Sequence, residues 1–226
     1  MTFTLNDVVP WGRNLEEYCA MFALGETERG VSILGCADGP ASFNAEGTAS
    51  GMRIVSVDPL YNFSTAQIRA RIEEATPGIA EQTRRNAAEF VWNQFPDVDA
   101  LIVSRQNTME LFLADYDAGI AQGRYASGSA IDLPFPDHSF DLALCSHFLF
   151  LYSAQHDLAF HLKALRELAR VADEIRVFPL LELGTVESRH LRAVMLALPR
   201  MGLKVERRRV PYELQRGGNE MLVICR

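Results

Sequence analysis

The chain has little of what would place it in an oxidising compartment, in a membrane or on a nucleic acid. Its 226 residues include four cysteines, Cys19, Cys36, Cys145 and Cys225, with no CxxC pair and no zinc spacing. Three lie in apolar surroundings, so free thiols in a reducing compartment are expected, and no metal site. The first residues, MTFTLNDVVPWGR, lack a basic stretch followed by an apolar one, so no signal peptide is expected. No apolar run approaches the roughly 20 residues that span a bilayer. A cytoplasmic location without a membrane partner is therefore the expectation. Positive charge is scarce too: 22 Lys and Arg against 29 Asp and Glu leave a net charge of −7. That balance argues against a sequence-independent grip on phosphate backbones, so no nucleic-acid partner is expected. The one dense basic run, Arg207-Arg208-Arg209, reads as a solvated strand face. Internal repeats and low-complexity segments are absent.

The composition is that of an ordinary globular protein, 48% hydrophobic and 23% charged, and the length suits one α/β domain over 1–226. After an amphipathic piece at Leu15–Phe22 with Asn14 as N-cap, β-branched runs at Val31–Leu34 and Arg53–Val57 flank a glycine loop and a segment that Pro40 could open as a helix. Strand, loop, helix, strand is one βαβ unit with a parallel pair. Residues 61–123 interrupt this rhythm with three expected helices, Thr65–Glu74, Ile79–Asn93 and Asn107–Gln122, broken at Pro77-Gly78 and at Phe95-Pro96-Asp97. A crossover rarely needs so many residues, so this stretch reads as a helical insertion over the sheet edge. The rhythm resumes with strands at Arg124–Ala126, Phe140–Cys145 and Glu174–Phe178, helices at Gln155–Val171 and Ser188–Met201, and two closing antiparallel strands at Leu203–Arg208 and Glu220–Cys225.

The chemistry concentrates in Gly35-Cys36-Ala37-Asp38-Gly39, which follows an apolar strand, and in Asp58-Pro59 at the end of the next one. Small residues let a ligand approach the backbone closely. The helix after the loop offers free N–H groups, and a carboxylate about 20 residues on can accept two hydrogen bonds from ribose hydroxyls. A dinucleotide loop needs G-x-G-x-x-G/A; here Ala37 and Pro40 hold its second and third glycine positions. No Walker pattern exists, and no Tyr-x-x-x-Lys pair supports nicotinamide chemistry.

With its Gly35–Gly39 loop and Asp58, the sequence resembles the class I S-adenosylmethionine-dependent methyltransferases, whose loop is often GCGTG, and more broadly a bacterial group of methyltransferase-like proteins. Gly128–Asp141, with Leu133-Pro134-Phe135-Pro136-Asp137-His138-Ser139-Phe140-Asp141, resembles the family stretch GDAENLPFPDNSFD. The resemblance covers roughly residues 31–60 and 124–226. It implies a Rossmann-like, seven-stranded, mostly parallel sheet with an antiparallel last strand and helices on both faces, here with the helical insertion. It implies S-adenosylmethionine as cofactor, held by Gly35, Cys36, Ala37, Gly39, Asp58 and Pro59, with Ser129 and Ala130 at the adenine edge and Ser146 near the methionine moiety. Two positions depart from the family: Ile33 stands where an acid is frequent, and Ser129 where one is usual.

The acceptor is less legible. Cys145-Ser146-His147-Phe148 replaces the [DN]PP[YF] motif of nucleobase amino-methyltransferases, which leaves a small molecule as the expected substrate. His147 is a candidate general base or, equally, a residue satisfying a helix end. His156 and His161 read as surface or supporting positions, and Phe148, Phe150 and Tyr152 as core before substrate cage. A binding module that keeps the pocket without chemistry remains open beside the enzyme. The acceptor atom and the oligomeric state stay open. Residues 1–30 lie outside the βα pattern. With the insertion they are expected to roof the donor pocket, with Trp11, Arg13 or Tyr18 facing it, the alternative being that Trp11 pins the N-terminus to the outside of the sheet.

Overall fold

The computed structural model describes residues 9–226. Seven strands, β1 (Ser32–Cys36), β2 (Arg53–Val57), β3 (Tyr125–Ala126), β4 (Phe140–Ser146), β5 (Ala172–Phe178), β6 (Lys204–Arg209) and β7 (Glu220–Cys225), form one sheet in the order β3-β2-β1-β4-β5-β7-β6. The first five run parallel, and β7 is antiparallel to both β5 and β6. Strand direction reverses at the β7 end, and the parallel order switches sides between β1 and β4, which opens a crevice at their carboxyl ends.

The apolar pattern explains the layering. Neighbouring side chains of a strand point to opposite faces. Leu34, Ala143, Cys145, Ile175 and Leu222 pack beneath α5 (Leu158–Val171) and α6 (Leu191–Ala197). Ile33, Leu142, Leu144 and Val223 pack beneath α1 (Leu15–Phe22) and Phe43 of α2 (Phe43–Ala49). A third cluster joins Ile68 and Ile72 of α3 (Thr65–Arg85) to Met109, Phe112 and Tyr116 of α4 (Val98–Ala121) and to Tyr125 at the short edge strand, with Trp11 against it. The seven-stranded Rossmann-like fold with helices on both faces and a helical segment between β2 and β3 is therefore as expected. Among the described residues, no helix is long and apolar enough to cross a membrane.

Several boundaries differ from expectation. The chain does not break at Pro77-Gly78: α3 runs through both to Arg85. Proline removes one hydrogen bond in a helix interior, but Glu73 and Pro77 are both exposed, so water can satisfy the freed carbonyl. The expected helix Ile79–Asn93 accordingly ends at Arg85. The next begins at Val98 instead of Asn107, because Asp97 caps it by accepting from the Ala100 N–H at 2.8 Å, and Asn107 is an exposed mid-helix residue. Pro40 does not open α2, which starts at Phe43. Asp157 caps α5, which begins at Leu158 and not at Gln155. The four cysteines are free thiols, with Cys36 and Cys145 buried side by side on paired strands. The run Arg207-Arg208-Arg209 is exposed on β6, as expected.

One buried ion pair links remote parts of the chain. Glu17 of α1 accepts from Arg105 of α4 through both carboxylate oxygens, with Arg105 Nη2 at 2.6 Å, and from the Tyr212 hydroxyl at 2.8 Å. It also closes the capping box of its own helix with Asn14. Burial alone would push the Glu17 carboxyl up. The Arg105 charge, its hydrogen bonds and the Arg13 charge outweigh that and hold it below the usual carboxylate range. Removing one partner of such a pair leaves an uncompensated buried charge. Glu17→Ala should therefore destabilise the protein by roughly 3–5 kcal/mol, and the double change Glu17→Gln with Arg105→Met should recover more than half of the loss, as read by urea unfolding.

Candidate functional site

The loop between β1 and α2 is shaped by a side chain that folds back into it. Asp38 is buried, its Oδ1 accepting from the Tyr18 hydroxyl at 2.7 Å and its Oδ2 from Ser56 Oγ at 2.7 Å. That places the carboxylate against Gly35, where a Cβ would lie 1.8 Å from Asp38 Oδ2. Gly35 thus leaves the space that the Asp38 carboxylate fills. Gly39 has φ +55°, and a Cβ there would meet nothing within 4 Å, so its open side faces the crevice. Ala37 holds φ +59°, a left-handed conformation costly for a residue with a Cβ, at the position where the methyltransferase loop often has its central glycine.

Asp58 ends β2 and faces the same loop. Its Oδ2 accepts from the Gly39 N–H at 2.9 Å and its Oδ1 from the Leu60 N–H at 2.7 Å. A carboxylate has about four lone-pair sites, so two remain for a ligand. Burial raises both acids against the opposing pull of their hydrogen bonds: Asp38 to about 7, with the Asp58 charge adding to the rise, and Asp58 to about 6.

These residues floor an open cavity. Beside the loop it is walled by Tyr18, Ala37, Asp38, Gly39, Asp58 and Leu60. The rest of its lining comes from four parts of the chain: Trp11 and Arg13 before α1; Ile79, Thr83 and Arg105 of the helical segment; Ser146, His147, Phe148, Leu151 and Tyr152 after β4; and Leu183, Leu214 and Gln215 after β5 and β6. Trp11, Arg13 and Tyr18 therefore all face the cavity together with the insertion. Residues 1–8 of the expected N-terminal roof lie outside the described residues.

His147 lines the cavity with φ +51°, its backbone N–H donating to the Phe178 carbonyl at 2.6 Å and its Nδ1 3.0 Å from Ser146 Oγ. Burial, then the charges of Arg13 and Arg105, lower its pKa well below the ordinary histidine value, so the ring is neutral at neutral pH. No helix starts at Ser146 or His147, so neither acts as a cap. Tyr152 donates no bond into the cavity; its hydroxyl accepts from the Val9 N–H at 3.3 Å. Phe150 is core, whereas Phe148 and Tyr152 reach the wall. His161 is fully buried rather than a surface residue, its ring nitrogens 2.7 and 2.8 Å from the Asp157 and Leu149 carbonyls.

The expected set is thus only partly brought together. Ala37, Gly39, Asp58, Ser146 and His147 share the cavity; Gly35, Cys36, Pro59, Ser129 and Ala130 are absent from its wall. Cys36 is core, packed beside Cys145. Ser129 bridges to Asp132, and Ala130 packs into the core. Asp38 and Arg105 are the additions. Asp38 stood in plain view inside the loop, but its direction depends on the positive φ values on either side of it. Arg105 looked like one more polar residue of a long helix. Among the described residues, no group of three or more His, Cys, Asp or Glu could hold a metal ion.

Sheet order and crevice define a class I methyltransferase fold, and the comparisons with known proteins agree. Residues 113–174 match the profile of a methyltransferase domain. The fold is similar to that of the mitomycin 7-O-methyltransferase, at 16% identity and a TM-score of 0.52 over 94% of this chain; this chain spans about half, 53%, of that longer protein. It is similar as well to magnesium protoporphyrin IX methyltransferase of Synechocystis PCC 6803 with bound S-adenosylhomocysteine, at 12% identity and a TM-score of 0.50, covering 94% of this chain and 81% of that one. Over 98% of both chains the sequence is 33% identical to an uncharacterized protein of Methanocaldococcus jannaschii. The chain belongs to the same family as that archaeal protein, so the likeness is not confined to bacteria, and its cofactor is S-adenosylmethionine.

Two outcomes follow from the loop. Ala37→Gly should relieve the left-handed strain and raise stability by about 0.5–1 kcal/mol net of the added chain entropy, seen as a higher midpoint in thermal unfolding. The raised Asp38 has a folded pKa of about 7 against an unfolded value near 3.9. Its contribution is then fully present below the unfolded value and is lost as pH rises through about 7. Asp38→Asn, which mimics the protonated acid, should flatten the fall in melting temperature between pH 5.5 and 8 relative to the unchanged protein.

Proposed function

We propose that this protein transfers the methyl group of S-adenosylmethionine to a small-molecule acceptor, using one domain over 1–226 in which residues 1–30 and 61–123 roof the site. The observation that carries this reading is the position of the cavity. It lies at the carboxyl ends of β1, β2 and β4, floored by the Gly35–Gly39 loop and Asp58, where open α/β sheets bind nucleosides. The residues fit the donor. The spare lone pairs of Asp58 suit ribose hydroxyls. The open side of Gly39 allows close approach, and two carboxylates, the buried Asp38 and the half-buried Asp58, suit a cationic sulfonium and ammonium.

When bound, the donor supplies an activated methyl group on sulfur: the C–S bond breaks, the acceptor–carbon bond forms, and a neutral thioether leaves. The protein's share is positioning and exclusion of water, supported by the roof of Trp11, Arg13 and Tyr18. Where the acceptor is a hydroxyl or amine, its proton passes to neutral His147, with Nδ1–H donated to Ser146 Oγ and the lone pair on Nε2. A walled cavity and a net charge of −7 support a small molecule over a nucleic acid.

S-adenosylhomocysteine should bind in calorimetry and raise the melting temperature. Asp58→Ala should weaken that binding about tenfold or more, since a charged hydrogen bond is worth roughly 1.5–3 kcal/mol. Donor affinity should rise with pH between about 5.5 and 8, because the cation binds the ionised forms of Asp58 and Asp38, whose values lie near 6 and 7. No binding at millimolar ligand would refute the reading. Binding without methyl transfer to any component of a cell extract would instead identify a module that holds the donor without using it.

A further inference from the structure

The stretch ahead of α1 has no regular structure, yet it supplies part of the cavity wall: Val9, Pro10, Trp11 and Arg13 all line it. Gly12, between them, is buried. A Cβ at Gly12 would lie 2.1 Å from the Pro40 carbonyl oxygen, 2.7 Å from the Pro40 carbonyl carbon and 3.1 Å from Ala41 Cα. All three atoms are backbone, so no side chain can turn aside to admit a methyl group. Gly12 is not among the residues with positive φ, so its glycine serves close approach of two backbones and not a special conformation. The backbone it meets is the end of the glycine loop, since Pro40 directly follows Gly39.

The two sides of this contact are held unequally. The loop is fixed from its own side: Gly39 donates its N–H to Asp58 at 2.9 Å and accepts from the Tyr61 hydroxyl at 2.8 Å, and Ala41 is buried. Among the described residues, one hydrogen bond ties the backbone of residues 9–13 to the rest of the protein, from the Val9 N–H to the Tyr152 hydroxyl at 3.3 Å. A second is internal to the stretch, from Arg13 Nη1–H to the Trp11 carbonyl at 2.9 Å. When the contact at Gly12 is disturbed, residues 9–13 are therefore the side that moves.

We propose that residues 9–13 are a clamp over the bound donor, seated on the glycine loop at Gly12 and latched at Tyr152, with Gly12 as a positioning residue for that donor. This rests on the methyl-transfer reading above. Seated, the strap holds Trp11 and Arg13 against the ligand space and excludes water from the sulfonium. Lifted, it opens a path for the donor to enter and the thioether product to leave.

The test uses the full chain and S-adenosylhomocysteine. Gly12→Ala should unseat the strap and weaken binding about tenfold, mostly through faster release. Hydrogen exchange at the Val9, Trp11 and Arg13 amides should slow on ligand binding in the unchanged protein and stay fast in the variant. Leu168→Ala truncates a fully buried side chain of α5 and supplies a destabilised comparison, which should keep its affinity within about twofold of the unchanged protein. If Gly12→Ala does not fold, Tyr152→Phe removes the latch and carries the test, with release expected about threefold faster. Ligand binding without slowed exchange in the unchanged protein overturns the proposal. So does affinity in Gly12→Ala within about twofold of the unchanged protein, a loss of affinity that Leu168→Ala shares, or unchanged release from Tyr152→Phe. Failure of the unchanged protein to bind S-adenosylhomocysteine refutes the methyl-transfer reading itself, and this proposal with it.

Discussion

The buried pair of Glu17 and Arg105 is the constraint around which the molecule is arranged. A guanidinium with no exposed surface cannot be left without a carboxylate, and the carboxylate comes from a residue 88 positions away. Once it forms, α1 is held against α4, and Tyr212 draws the segment after β6 into the same place. The cavity roof is therefore assembled from distant parts of the chain by one charge requirement. The next residue on α1, Tyr18, reaches down to Asp38 in the loop below. Adjacent side chains of one helical turn thus join the roof to the floor.

Burial shapes the charges along this cavity. Asp38 and Asp58 line it, and burial makes both carboxylates reluctant to ionise. His147 lines it too and is kept uncharged by burial and by the charges of Arg13 and Arg105.

The parts of the fold that depend on period and on local punctuation were legible in the sequence. The apolar run Phe140–Cys145, the N-cap at Asn14 and the glycine loop ahead of Asp58 each follow from neighbours a few residues apart. What was not legible depends on distance. Pro77 reads as a break until the solvent side of α3 is known. Asn107 reads as a cap until Asp97 is seen to hold the Ala100 N–H. Gly35 and Asp38 look like two loop residues until one is found to occupy the space beside the other. Ser129 and Ala130 carried an expected role by likeness of motif; Ser129 bridges to Asp132, Ala130 packs into the core, and neither is among the residues lining the cavity. Arg105 gave no signal, because its meaning lies in Glu17, a partner 88 positions away.

The two rims of the sheet are closed in different ways. At one, β3 is only two residues long and lies under the aromatic cluster of α3 and α4. At the other, β6 reads Lys204-Val205-Glu206-Arg207-Arg208-Arg209, with charged side chains standing out along the strand and Arg207 bridged to Glu187 and Glu220. A foreign strand gains nothing by aligning with an edge that is too short or too charged to accept it. The sheet is therefore finite by construction. Strand-to-strand pairing between copies is disfavoured at both rims.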